Sequence, residues 1–293
     1  MPLKPFIRDL VPPVLWRLMS AVKWSIIDKP PPPPVAAPWQ GGATDPGLLG
    51  PDDRRFIETR VPELSGWLNT NAAYFAAYML NVQHKAGIAG PVLEIGVFAG
   101  KFLMLLHYLG RRHGNGTVGI DIFTDSDPDA IVAYAEALFG SAKGLRLHEM
   151  DSADLTPDSA LALLGNERPR AISVDGDHTG PGVLRDLRLC AAILADRGLM
   201  ILDDVLNPYA AGVAEGTYRF LLDPGCAFVP FAQIENKTFI CRRDAHPFYL
   251  EAGRQFARDC ADLPVARKFL ETHAEGAHRV EQDLLGVKTL IFG

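Results

Sequence analysis

Five apolar segments alternate with amphipathic segments between residues 91 and 203, and this alternation restricts the fold more than any other feature of the chain. Each apolar segment has the length of a buried strand and is followed by a turn rich in glycine or acidic residues. The predicted strands are residues 91–97, 117–123, 145–150, 170–175 and 198–203. Strands that alternate with helices favour a parallel sheet covered on both faces.

The pattern changes after residue 225, where two apolar segments, 226–234 and 238–243, are separated by only three residues. So short a connection requires an antiparallel hairpin. We therefore predict an α/β fold with a Rossmann-like, doubly wound sheet of about seven strands, mostly parallel, with a C-terminal antiparallel hairpin and helices on both faces. The predicted helices are residues 69–86, 101–112, 128–139, 157–164, 181–195 and 247–261.

Composition divides the chain into four parts. Residues 1–29 form a basic amphipathic segment, and residues 30–51 form a linker rich in proline and glycine, which cannot sustain helix or ladder hydrogen bonds. Residues 52–243 form the globular domain. Residues 244–293 are predicted to be a helical extension that packs on this domain, and their last apolar stretch is predicted to pack over a sheet edge.

The N-terminal segment has five basic and two acidic residues, and its apolar residues recur at helical spacing. Arg17 and Lys23 interrupt the apolar run, which argues against a transmembrane span. Such a helix fits peripheral contact with an anionic membrane surface. Docking on the globular domain or on another subunit is the alternative, and the sequence leaves both open.

Net charge and cysteine spacing restrict the partners and the compartment. The formal net charge of −6 argues against nucleic acid as a partner, because nucleic-acid binders present a broad basic surface. The four cysteines are far apart and form no CxxC pair, which is typical of reduced, buried thiols. We expect a cytoplasmic protein, with peripheral contact at the inner membrane face if residues 1–29 bind lipid.

Two predicted strands end in acidic clusters, VDGDH at 174–178 and LDDV at 202–205. Asp175, Asp203 and Asp204 would converge at one sheet edge, where carboxylates need a shared proton or a cation such as Mg²⁺. Asp175 is a candidate metal ligand and proton acceptor, and His178 is a second candidate base. A helix-start pair for Asp203 and Asp204, and a loop hydrogen bond for His178, are the structural alternatives.

The preceding strand ends have the features of a cofactor site. Glu94, Gly96 and Gly100 end or follow the first strand, and glycine allows close approach of backbone to a ligand. Asp121 ends the second strand, where an acidic residue accepts hydrogen bonds from ribose hydroxyls. Asp151 and Ser152 follow the third strand and could meet a purine amino group. Taken singly, each acidic residue also fits a helix cap or a loop start.

This series of motifs, E-x-G-x-x-x-G with GID, MDS, VDGDH and LDDV, resembles class I S-adenosylmethionine-dependent methyltransferases. Within that class it is similar to the macrocin O-methyltransferase-like sugar O-methyltransferases, and the resemblance covers about residues 60–243. It implies that Glu94 and Gly96 lie near the methionine moiety, Asp121 at the ribose, and Asp151 with Ser152 at the adenine. It also implies magnesium bound by Asp175, Asp203 and Asp204. Lys101 departs from the pattern, since relatives often have a small residue there.

The resemblance implies a divalent-metal-assisted O-methyltransferase acting on a hydroxyl of a sugar or glycosylated acceptor. A hydroxylase-like relative on the same fold is one alternative, and a non-catalytic module that binds the cofactor or a glycan is another. The expected partner is a small-molecule or glycan acceptor, and the relatives suggest a homo-oligomer. Trp67, Tyr209 and Arg219 could border the acceptor pocket, although packing in the core is the default expectation.

Overall fold

The computed structural model describes residues 33–41 and 47–293. Its helices are α1 (Pro51–Thr59), α2 (Thr70–Lys85), α3 (Lys101–Arg112), α4 (Pro128–Phe139), α5 (Pro157–Leu163), α6 (Gly180–Ile193), α7 (Ala211–Leu221), α8 (His246–Asp259) and α9 (Pro264–Glu275). Its strands are β1 (Val92–Ile95), β2 (Thr117–Asp121), β3 (Leu145–Glu149), β4 (Ala171–Val174), β5 (Leu199–Asp203), β6 (Phe228–Ile234), β7 (Lys237–Arg242), β8 (Glu281–Leu284) and β9 (Val287–Phe292). Short 3₁₀ turns cover Val61–Glu63, Ser152–Asp154 and Ala277–Arg279.

The strands of the described chain form one sheet in the order β3-β2-β1-β4-β5-β7-β6-β9-β8. Strands β1 to β5 are parallel, and β7 lies antiparallel between β5 and β6. The connections run outward from β1 to β3 and then cross back to β4, so the strand order reverses between β1 and β4. Ligands of open α/β sheets bind at such a reversal, beyond the carboxyl ends of the strands. The predicted doubly wound fold with a C-terminal hairpin is confirmed.

The sheet has nine strands in the described chain rather than about seven, because the C-terminal segment contributes two. Strand β9 pairs parallel with β6 and antiparallel with β8, and β8 is the outer edge. Leu290 and Phe292 of β9 are buried, and the ring of Phe292 packs against Phe256 of α8 and Phe269 of α9. The last apolar stretch therefore extends the sheet edge instead of packing over it.

Helices cover both faces of the sheet, which explains why the central strands are apolar at nearly every position. Neighbouring residues of a strand face opposite layers, so Val92 joins the core that includes α2, α3 and α8, and Leu93 joins the core that includes α6. Both residues are fully buried, and each such side chain contributes about 1.5–3 kcal/mol to folding. These two cores hold the strand ends in a common register.

The two N-terminal predictions concern residues that the structure describes only in part. The basic segment 1–29 lies outside the described residues, so membrane contact stays a prediction, as does the homo-oligomer. In the described part of the predicted linker, Trp39 packs edge-on against Phe56 and donates its backbone N–H to Leu138. Among the described residues no helix is both long and apolar enough to cross a membrane.

Candidate active site

The turn after β1 brings two strand ends into close contact. Gly96 has a positive φ of 85°, a conformation that favours glycine. A Cβ atom on this residue would lie 2.0 Å from the carbonyl oxygen of Asp175, which follows β4. Gly100 also has a positive φ and immediately precedes α3. Gly96 therefore lets the turn after β1 lie against the end of β4, and Gly100 lets the same turn lead into α3.

The carboxylate of Asp121, at the end of β2, holds this turn in place. One oxygen accepts the backbone N–H groups of Val97 and Phe98 at 2.7 and 2.8 Å, and the other accepts the N–H of Phe123 at 2.7 Å. Such charge-assisted bonds make the turn rigid. Each carboxylate oxygen can accept more than one hydrogen bond, so these backbone contacts leave Asp121 able to bind a ribose as well. The predicted ribose contact stays a prediction.

Glu94 lies inside β1, beneath the turn, with only 2% of its surface exposed. Its Oε2 atom is buried without a hydrogen-bond partner, which is uncommon for a carboxyl oxygen. Burial raises the pKa of Glu94 well above its usual range, although the nearby Lys237 ammonium opposes this shift. Glu94 therefore offers a polar atom, without a partner in the described chain, at the base of the predicted cofactor site.

The residues after β3 have partners that the sequence did not reveal. Asp151 accepts the backbone N–H of Ala153 at 2.9 Å and caps a short 3₁₀ turn. A capping role was the alternative to cofactor binding that the sequence left open for this residue. The hydroxyl of Ser152 donates to Oδ1 of Asp186 at 2.8 Å. Asp186 belongs to α6 and is fully buried, with Oδ2 left without a partner. The adenine contacts of Asp151 and Ser152 stay predictions.

Replacement of Asp186 by Asn is expected to change how stability depends on pH. Burial raises the pKa of Asp186 from 3.8 to about 6, so its contribution to stability is full below pH 3.8 and is lost as the pH rises through 6. At pH 7.5 this loss amounts to at most about 3 kcal/mol. Urea unfolding at pH 4 and pH 7.5 should therefore show Asp186→Asn gaining stability, relative to the wild type, at the higher pH. An equal difference at both pH values would contradict this explanation.

The residues after β4 form the first acidic cluster. Nε2 of His178 donates to Oδ1 of Asp175 at 3.3 Å, and this hydrogen bond raises the pKa of His178. Helix α7 supports the loop closely, since a Cβ on Gly212 would lie 2.3 Å from the carbonyl oxygen of His178. Both side chains are partly exposed, so they can reach a ligand. The two candidate bases therefore form a hydrogen-bonded pair.

The end of β5 carries the second acidic cluster. Asp203 is 6% exposed, and its Oδ1 accepts the amide of Asn236 at 2.5 Å and contacts the ammonium of Lys237 at 3.1 Å. Burial and the neighbouring carboxylates Asp175 and Asp204 raise the pKa of Asp203 to about 7, although Lys237 opposes the shift. Asp204 has a positive φ of 58°, a strained conformation for a non-glycine residue. The three carboxylates of the predicted triad are therefore mutually close.

A small cleft lies between these two clusters. Its lining residues come from the ends of β4 and β5 and from α6 and α7: Val174, Asp175, Gly176, Asp177, His178, Val183, Leu187, Leu202, Asp203, Val213 and Thr217. Apolar side chains form its walls, and the acidic residues and His178 form its polar part. The cleft could thus bring a polar group of a ligand to the carboxylates in surroundings that are partly shielded from solvent.

The predicted metal triad is not arranged as a preformed site. Within residues 33–41 and 47–293 there is no group of three or more His, Cys, Asp or Glu side chains positioned to hold a metal ion. In this arrangement Lys237 and Asn236 engage one oxygen of Asp203. Part of the positive charge that the sequence assigned to a metal is supplied by a lysine.

Sequence reasoning missed Lys237, Asn236 and Asp186. A signal existed for the first two, because the short hairpin loop brings the start of β7 beside the end of β5, where Asp203 and Lys237 are paired residues.

Trp67 and Tyr209 were expected in the core, and that expectation was wrong, since they are 85% and 97% exposed. Trp67 stacks on Phe98 of the glycine turn with ring centres 5.7 Å apart.

Comparison with known proteins agrees with this geometry. A protein-family model described as "Methyltransferase domain" matches residues 93–205, from β1 to the end of the second acidic cluster. Over these residues the chain is similar to that family. The strand order of the sheet agrees with this match, and the prediction of a class I S-adenosylmethionine-dependent methyltransferase is confirmed.

Several solved structures are similar to this chain at low sequence identity. The O-methyltransferase NovP is 11% identical with a TM-score of 0.49, over 58% of this chain and 80% of NovP. CalS11, a TDP-rhamnose 3'-O-methyltransferase, is 16% identical with a TM-score of 0.47, over 80% of this chain and 95% of CalS11. MycE, solved with Mg, SAH and mycinamycin VI, is 17% identical with a TM-score of 0.45, over 65% of this chain and 54% of MycE. A search of curated proteins found no match.

Proposed function

We propose that this methyltransferase transfers the methyl group of S-adenosylmethionine to a hydroxyl group of a sugar or glycosylated acceptor, assisted by a divalent cation such as Mg²⁺. The observation that carries the proposal is the contact between the glycine turn of β1 and the acidic end of β4. There Gly96 lies against the backbone of Asp175, so a cofactor beside the turn would be adjacent to the carboxylates. An acceptor hydroxyl and a methyl donor can therefore meet at one sheet edge.

The residues around the glycine turn fit a bound cofactor of this kind. Oε2 of Glu94 is a buried oxygen without a protein partner, available to the methionine portion. Gly96 lets the turn pack directly against the backbone of Asp175, and Gly100 lets it pack against Ile131 of α4. Asp121, Asp151 and Ser152 follow the next two strands in order, which matches the sequence of a ribose and then an adenine. Bound S-adenosylmethionine would supply the electrophilic methyl group.

The donor set at the acidic clusters fits a hard divalent cation. Asp175, Asp203 and Asp204 offer oxygen ligands, which Mg²⁺ prefers. The raised pKa of Asp203 has burial and like charge as its causes, which indicates that the carboxylates are undercompensated by Lys237 alone. A cation held there would orient the acceptor oxygens and lower the pKa of the hydroxyl. Asp175 and Asp204 have exposed surface from which to bind it.

Residues of the chain would accept the proton of the hydroxyl and align the acceptor oxygen with the methyl group. Asp175, which is hydrogen-bonded to His178, would accept the proton of the acceptor hydroxyl. The acceptor oxygen forms a bond to the methyl carbon as the carbon–sulfur bond breaks, and this in-line displacement requires close alignment. The products are a methyl ether, S-adenosylhomocysteine and the proton held by the protein. The apolar walls of the cleft limit access of water.

An exposed aromatic surface beside the glycine turn supports a ring-shaped acceptor. Trp67 is 85% exposed and stacks on Phe98, and Lys101 donates to the carbonyl oxygen of Gly66 at 3.0 Å. The departure at Lys101 thus anchors the segment that carries Trp67. A large exposed aromatic ring held in one position offers a flat apolar face to a sugar.

Product mass after incubation with S-adenosylmethionine and Mg²⁺ tests this proposal. The full chain is incubated with a panel of sugar nucleotides, free glycosides and glycosylated small molecules, and each product is weighed. We expect one acceptor class to gain one methylene unit. A chelator should lower the turnover at least about ten-fold, since the metal orients and activates the hydroxyl, and added Mg²⁺ should restore it.

Other outcomes of this experiment would contradict the proposal in distinguishable ways. A gain of one oxygen atom would indicate a hydroxylase on the same fold. Cofactor binding without transfer to any acceptor would favour a non-catalytic binding module. Full turnover in the presence of the chelator would support methyl transfer but contradict the role of a metal in it.

A further inference from the structure

Lys237 is a buried ammonium group at the base of the acidic clusters. It is the first residue of β7, lies opposite Asp203 in the sheet register, and is only 1% exposed. Its Nζ lies 3.1 Å from Oδ1 of Asp203 and 4.5 Å from the centre of the Phe102 ring. Lysine is almost never buried to this degree unless it is paired. The side chain is therefore a charge fixed inside the site.

The surroundings of Lys237 link both halves of the site. Phe102 belongs to the first turn of α3, directly after the glycine turn, and its ring face contacts the ammonium. Glu94 of β1 is also near enough for Lys237 to lower its pKa. On the other side, Asn236 and Lys237 share the same oxygen of Asp203. One lysine therefore lies between the cofactor turn and the carboxylates.

We propose that Lys237 is a positioning residue that orients Asp203 and limits how tightly the carboxylate site binds a divalent cation. This inference rests on the proposed metal-assisted function. Because Oδ1 of Asp203 is engaged by Lys237 and Asn236, a cation would be held by Asp175, Asp204 and at most the remaining oxygen of Asp203. The fixed ammonium also repels a second cation placed beside the same carboxylate.

The balance of charge agrees with this role. The three carboxylates Asp175, Asp203 and Asp204 stand against one ammonium, which leaves an excess of two negative charges for one divalent cation to neutralise. Without Lys237 the excess would be larger, and Oδ1 of Asp203 would keep only its hydrogen bond from Asn236. Affinity of oxygen sites for divalent cations rises with the number of ligand charges. The lysine thus favours a cation that is bound weakly and can exchange.

Cation binding by Lys237→Met tests the proposal without relying on activity. The full chain is titrated with Mn²⁺ alone at pH 8, and free Mn²⁺ is followed by electron paramagnetic resonance. We expect Lys237→Met to bind Mn²⁺ at least about ten-fold more tightly than the wild type, since a like charge has been removed. Lys237→Arg keeps the charge and should bind within about three-fold of the wild type.

Lys288→Met is the matched control, because Lys288 is an exposed lysine paired with Asp283 on the outer strands. It should bind Mn²⁺ as the wild type does. S-adenosylhomocysteine affinity is measured on each variant to show that the cofactor turn is intact. Unchanged or weaker Mn²⁺ binding by Lys237→Met would overturn the inference while leaving the function in place. Loss of S-adenosylhomocysteine binding in that variant would also overturn it, since Lys237 would then be structural. Absence of Mn²⁺ binding by the wild type would overturn the metal-assisted function as well.

Discussion

Asp175→Asn is expected to lower the kcat of methyl transfer about 10²–10⁴-fold, the range typical for removal of a general base. The amide keeps the shape of the side chain but cannot accept the proton of the acceptor hydroxyl, and it is a weaker ligand for a hard cation. Asp175 contacts the glycine turn through its backbone, which the substitution leaves unchanged. Affinity for S-adenosylhomocysteine should therefore stay within about three-fold of the wild type. Single-turnover kinetics and calorimetry measure the two quantities.

Asp158→Asn is the matched control for this substitution. Asp158 is an exposed residue in the first turn of α5 and contacts neither acidic cluster, so kcat should not change. His178→Gln separates the two candidate bases, since His178 is hydrogen-bonded to Asp175. A larger loss of kcat in His178→Gln than in Asp175→Asn would identify His178, rather than Asp175, as the general base. A kcat of Asp175→Asn within three-fold of the wild type would remove Asp175 from the mechanism.

Gly96→Ala is expected to abolish measurable cofactor binding, with at least a 100-fold loss of affinity for S-adenosylhomocysteine. The added Cβ would lie 2.0 Å from the carbonyl oxygen of Asp175 and 2.7 Å from the backbone nitrogen of Gly176. Such distances cannot be relieved by a flexible side chain, because both neighbours are backbone atoms. The ends of β1 and β4 must separate, and the positive φ adds about 1–2 kcal/mol of strain. Calorimetric titration and urea unfolding measure the two effects.

Gly87→Ala separates the effect of backbone strain at a positive φ from the effect of the steric clash with β4. Gly87 has a φ of +70°, close to that of Gly96, but a Cβ on it would meet nothing within 4 Å. We expect Gly87→Ala to lose about 1 kcal/mol of stability and to bind S-adenosylhomocysteine as the wild type does. If both variants bound the cofactor equally well, the close approach of β1 to β4 would not be what shapes the site.

The parallel half of the sheet could be predicted because its signals are local. Each strand from β1 to β5 is an apolar run ended by glycine or a carboxylate, so the strand ends and the carboxylates followed from spacing alone. Strands β8 and β9 could not be predicted in the same way. The pairing of β9 with β6 joins residues near 290 to residues near 232, and such a long-range contact leaves no periodic signal. Strand β8 joins the sheet through its pairing with β9, so its place depends on the same long-range contact.

The sequence locates the carboxylates that follow each strand, but it does not show their partners on neighbouring elements. Asp175, Asp203 and Asp204 are close together because parallel strands end at one edge. Lys237 approaches Asp203 from an antiparallel neighbour, so its role depends on the register of the hairpin. Asp186 is a helical aspartate whose sequence context resembles that of a solvated residue, and only packing of α6 shows that it is buried. Electrostatic partners across elements therefore required the structure.

Calorimetric titration of the wild-type chain with S-adenosylhomocysteine tests the central claim most directly, because the cofactor turn beside the carboxylates is the basis of the proposed chemistry. We expect one binding site per chain, with a dissociation constant on the order of micromolar. Binding should vanish in Gly96→Ala and persist in Gly87→Ala. Absence of any binding heat in the wild type, across several temperatures, would contradict the account.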